Sequence, residues 1–232
     1  MKKLDVIPII HTNSDMGSIG PVLSEASSIA LGEELWGKHQ EIVAGFWESI
    51  ARFFKSEDVI ATKIYQDGMV GDGLDGLKIV NEGVRFGSVN YEIISGLLGR
   101  GAILIKTEDI ALVQREYNYI KKITSAKSPR ERDTFASRYK LAQHKLLEDR
   151  DNFIARTIES TLKEGDRGVL FIGAYHDVLS KLPVDIRIVQ VKEVTKVREY
   201  HRILSNMSSK TRAQFQQLAE YLAAPVSASG VD

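Results

Sequence analysis

An α/β fold with a mostly parallel sheet of about five strands, helices on both faces and a long helical insertion between strands three and four is what this sequence predicts. Two observations carry the prediction. Five short segments are continuously apolar and rich in β-branched residues, as strands covered on both faces are. Helical periodicity separates them, except before the last, where a short segment ending at Pro183 intervenes, and such alternation brings parallel strands together through crossovers.

The strands are expected at residues 4–11, 61–67, 102–107, 168–176 and 186–191. Between the first two, residues 35–54 place Trp36, Ile42, Val43, Phe46, Trp47, Ile50, Phe53 and Phe54 three and four apart, a wide apolar helical stripe. So much apolar face on one helix suggests a homo-oligomer. Residues 91–98 read as a short helix ended by Gly99 and Gly101, and 110–123 as another. Ser128 then resembles an N-cap, with Pro129 at the first helical position, of a helix running to about Leu162. The insertion thus covers about 110–163 of one domain at 1–222, and 223–232 reads as a flexible tail.

Composition narrows the chemistry. Thirty-one basic and thirty-one acidic residues cancel, so no global field draws nucleic acid or an anionic membrane. Residues 121–145 carry eight Lys or Arg against Glu131 and Asp133, the one marked asymmetry, and read as a solvated face. No apolar stretch approaches the ~18–20 residues of a membrane span, and 6–10 are too short for a signal peptide core. Cysteine is absent, which removes thiolate nucleophiles and Cys-ligated metals and fits the cytoplasm, the expected location.

Ligands of parallel sheets bind outside the carboxyl ends of the strands, which makes polar residues there the candidates. The first strand ends in His11, Thr12, Asn13, Ser14 and Asp15, the second in Asp67, the third in Thr107, Glu108 and Asp109, the fourth in Tyr175, His176 and Asp177. Two histidines among carboxylates suit a divalent metal (Mn, Co or Zn) that activates water, with His11, Asp67 and His176 as ligands. They equally suit metal-free acid and base catalysis, with Glu108 and Asp177 as further catalytic candidates. The glycines of 68–73 lack P-loop and GxGxxG spacing and read as a turn. His39, His144 and His201 lie on helical pattern among charged residues and are expected at the surface.

The run Glu148-Asp149-Arg150-Asp151-Asn152, followed by Gly173-Ala174-Tyr175-His176 at the end of an apolar strand, resembles the TraB, TIKI, ChaN and erythromycin-esterase group. The first strand's Pro8-Ile9-Ile10-His11 has proline where that group has glycine, and Asp67 stands where its metal-dependent members place glutamate. The resemblance implies an α/β fold and adds Arg150 to the site. It implies a hydrolase acting on a small amide, ester or peptide, or a metal- or haem-binding protein. A non-catalytic regulatory or interaction protein on the same scaffold is the remaining expectation.

Overall fold

A computed structural model describes residues 1–12, 14–15 and 20–226. Five strands, β1 (Lys2–Ile9), β2 (Lys63–Gln66), β3 (Ile103–Ile105), β4 (Arg167–Gly173) and β5 (Ile186–Gln190), form one sheet in the order β3-β2-β4-β1-β5, every pairing parallel. Residues 4–10 are buried without interruption, so both faces of β1 are covered. Eight helices surround the sheet among the described residues: α1 (Gly20–Leu31), α2 (Glu33–Lys55), α3 (Gly73–Arg85), α4 (Val89–Gly99), α5 (Ile110–Thr124), α6 (Pro129–Thr161), α7 (Val194–Ser205) and α8 (Arg212–Ala223).

Most of the apolar stripe of α2 is buried within the chain. Ile42, Val43, Phe46, Trp47, Ile50 and Phe54 are buried, and α2 packs on α1, α4 and α8. Each such side chain contributes about 1.5–3 kcal/mol by leaving water. Trp36 and Phe53 of the same stripe are half-buried.

Helix α6 opens as its first turn predicts. The Ser128 hydroxyl accepts from the Glu131 N–H at 3.2 Å, Glu131 accepts in return from the Lys127 N–H at 2.8 Å, and Pro129 sits in the first turn. At 33 residues it is about 50 Å long. Its first half pairs with α5 away from the sheet, and only its last part is buried, at Leu146, Arg150, Asp151, Ile154, Ala155 and Ile158. Spacings of three and four put these on one face, so a charged pair rides on the stripe that packs against the domain.

Several expectations need correction. β1 stops at Ile9 and β4 at Gly173, so His11 and His176 lie in the loops beyond the strands. The chain turns after β4, where the His176 N–H donates to the Gly173 carbonyl. β3 is only three residues long. His39 is buried rather than superficial, its Nδ1 2.8 Å from the Tyr200 hydroxyl, and His201 is half-buried between Tyr175 and Tyr200. The expected tail begins inside α8, and the Ala224 carbonyl accepts from Lys192 Nζ at 2.6 Å; residues 227–232 lie outside the described residues, as does Asn13. No described helix is long and apolar enough to cross a membrane.

Candidate functional site

The carboxyl ends of β2, β3 and β4 and the buried end of α6 meet in one charged cluster. Arg150 is its hub. Its Nε lies 3.2 Å from both carboxylate oxygens of Glu108, Nη2 reaches Asp67 and Glu108, and Nη1 reaches Glu116. Arginine suits the place because a rigid fork of five donors satisfies several carboxylates at once, which lysine does not. Glu108 is fully buried and also accepts from the Gly68 N–H at 3.3 Å. Glu116 is held from its other side by the Tyr139 hydroxyl at 2.7 Å.

The second half of the cluster is a histidine between two acids. Asp151 Oδ1 lies 2.5 Å from His176 Nδ1, and its Oδ2 accepts from the Asp177 N–H at 2.9 Å. On the opposite edge of the ring, Nε2 faces Asp67 Oδ2 at 3.4 Å. That oxygen also accepts from the Gly173 N–H at 3.0 Å. A Cβ on Gly173 would stand 2.9 Å from Asp67 Oδ2 and 3.3 Å from His176 Cδ2, so only glycine lets strand, acid and imidazole approach this closely.

Electrostatics follow from this packing. Burial alone would lower the His176 pKa, but Asp67 and the bond to Asp151 outweigh it and raise it to about 10. Burial would raise the Asp67 pKa, yet His176 and Arg150, with a smaller pull from His11, hold it well below the usual carboxylate range. Glu108 goes the other way: burial lifts it to about 7 against the attraction of Arg150. Tyr91, whose ring occupies the space left by the missing side chain of Gly83, is pushed up to about 12 by burial, with Asp67 and Asp15 adding to the rise.

Of the residues singled out from sequence, Asp67, Glu108, Arg150 and His176 are brought together. Asp177 contributes its backbone, while its exposed carboxylate turns to the Ser180 hydroxyl at 2.7 Å. His11 is exposed at the rim, on a loop pinned where Asp15 accepts from the Thr12 N–H and hydroxyl and from the Ser88 hydroxyl at the N-cap of α4. Asp151 and Glu116 were not singled out. Asp151 had a signal, since it shares the helical face of Ile154, Ala155 and Ile158; Glu116 had none, because its role depends on how α5 folds against α6.

The metal expectation meets the geometry halfway. Two ligands at ~2.1 Å across a tetrahedral angle stand about 3.4 Å apart, the separation of His176 Nε2 and Asp67 Oδ2. A carboxylate on the far nitrogen is the usual support of a metal-bound histidine. No group of three or more His, Asp or Glu among the described residues is arranged to hold an ion.

No family model matches the chain, and neither the curated proteins nor the solved structures provide a match.

Proposed function

We propose that this crevice is the reacting centre of a hydrolase for small amide, ester or peptide bonds. The observation that carries the reading is the Asp151–His176–Asp67 line, a basic imidazole and an ionised carboxylate 3.4 Å apart whose pKa values are driven in opposite directions. These are the protonation states that an acid and a base need before turnover, the proton on His176 and none on Asp67. Asp67 accepts a proton from the attacking water as the C–O bond forms. His176, protonated at neutral pH, donates its Nε2 proton to the leaving nitrogen or oxygen as the scissile bond breaks. Asp151 orients the ring, and Arg150, saturated by three carboxylates, is a positioning residue that fixes Asp67. The TraB-like motif supports the substrate class.

A metal-assisted version is favoured by the same 3.4 Å spacing and by the charge count, because Arg150 and His176 face four carboxylates, Asp67, Glu108, Glu116 and Asp151. Asp67 and a neutral His176 would hold the divalent ion, and the ion would supply Lewis-acid activation of water.

The test is turnover of p-nitrophenyl acetate, acyl anilides and short peptides, with and without Mn, Co or Zn. The wild type should hydrolyse at least one class, and His176→Asn should lower kcat by about 10²-fold or more. A folded wild type inactive on all of them under every metal condition contradicts the proposal. Calorimetric titration with zinc separates the versions, since only the metal-assisted one predicts binding that His176→Asn removes.

A further inference from the structure

A second concavity lies beside the crevice, between α2, the loop after β1 and the start of α4. It encloses about 300 Å³. Trp36, Trp47, Val43 and Val89 supply apolar walls, with His39 and Gln40 among them. The two tryptophans are the only ones in the chain. Trp47 Nε1 donates to the Ile10 carbonyl at 3.1 Å, and half-buried Trp36 lies 5.2 Å from the His39 ring, itself held by Tyr200. Among the described lining residues there is no carboxylate, lysine or arginine. A charged group would lose its hydration here without a counter-ion, whereas a flat ring gains both burial and the offset or edge contacts that aromatic pairs prefer. The volume stands at the lower end of the ~300–1,000 Å³ found for small-molecule pockets, which suits one ring with short substituents.

His11 joins this cavity to the crevice. It lines the cavity and stands two residues beyond Ile9, which pairs with Gly173 across the sheet, and the Gly173 N–H donates to Asp67. The cavity and the Asp67–His176 pair therefore lie at the carboxyl ends of neighbouring strands, close enough for one substrate to reach both.

We infer that the cavity walled by Trp36 and Trp47 is the subsite for an uncharged aromatic group of the substrate, with benzoyl-like esters and amides as the preferred class. The word substrate rests on the hydrolytic reading of the crevice; the binding itself does not.

Benzamide, cyclohexanecarboxamide and benzoate are titrated into the wild-type protein with tryptophan fluorescence as the readout, and calorimetry as a check. Benzamide should saturate, and the other two should bind at least tenfold more weakly. Ala44→Phe, at an exposed lining position, should weaken benzamide at least tenfold, and Gln40→Phe, also exposed, serves should the first variant not fold. Absence of benzamide binding, equal affinity for benzoate, or undiminished affinity in a folded variant overturns the subsite. Hydrolysis of p-nitrophenyl benzoate and acetate is measured separately. Acetate turnover without benzamide binding overturns the subsite and leaves the hydrolase standing; benzamide binding without turnover of either ester, of acyl anilides or of short peptides, with or without metal, supports the aromatic site and overturns the hydrolytic reading.

Discussion

Among the described residues two arginine–carboxylate networks stand at opposite ends of the sheet, and they differ in burial and charge balance. At the amino end, Arg167 and Lys3 meet Asp5 and Glu57, two cations against two carboxylates. Nearby, Lys63 pairs with Asp166. At the carboxyl end, Arg150 and His176 face Asp67, Glu108, Glu116 and Asp151. The first arrangement neutralises itself and ties β1 to β4. The second carries surplus negative charge around an ionisable ring, at greater burial: the Arg150 side chain is 8% exposed and that of Arg167 20%. A buried ion pair by itself says little about function, whereas unbalanced charge with strongly displaced pKa values marks a functional candidate.

This contrast predicts unequal costs. Arg150→Met should destabilise the fold by about 3–5 kcal/mol in guanidinium unfolding, since three carboxylates lose their partner in a buried place. Equal stability of this variant and wild type would remove the distinction between the networks.

The pH response comes next in size. His176 has its pKa raised from 6.5 to about 10 in the fold, so its stabilisation is fully present below 6.5 and is lost as pH climbs through 10. The groups facing it are Asp67 and Asp151, which raise the value, and Arg150, which lowers it. Unfolding free energy should drop by a few kcal/mol between pH 7 and 10, and His176→Asn should flatten that slope. An unchanged slope in the variant would place the alkaline sensitivity elsewhere.

Gly173→Ala, whose new methyl would crowd Asp67 and His176, should cost about 1–3 kcal/mol. The smallest effect is expected at the balanced end, where Arg167→Met should cost about 1–2 kcal/mol because the site is partly solvated and Lys3 still faces Asp5. A larger loss there than at Arg150 would invert the comparison.

The sequence was readable where local rules dominate. β-Branched runs located all five strands, and Ser128 with Pro129 located the start of α6. Arg150 entered only through its motif, and the acids that meet it, Asp67 and Glu108, stood among the strand-end candidates. Strand ends were overextended because apolar character continues into Ile10 and Ala174, which are buried beneath loops rather than paired in the sheet. His39 looked superficial because its sequence neighbours are polar, and only the packing of α7 brings Tyr200 against it. Glu116 and the amino-end network depend on contacts between segments remote in sequence, for which periodicity carries no signal.

The same substitution made at both ends tests the central claim most directly: Asp67→Asn and Asp5→Asn, each assayed for hydrolysis per folded molecule after folding is checked by circular dichroism. Asp67→Asn should reduce kcat by about 10²-fold or more while remaining folded. Asp5→Asn should lose stability yet keep the wild-type kcat, because Asp5 serves only the ion pairs of the amino end. An active Asp67→Asn protein, or an equal fall of kcat in both folded variants, would contradict the assignment of the carboxyl-end cluster as the reacting centre.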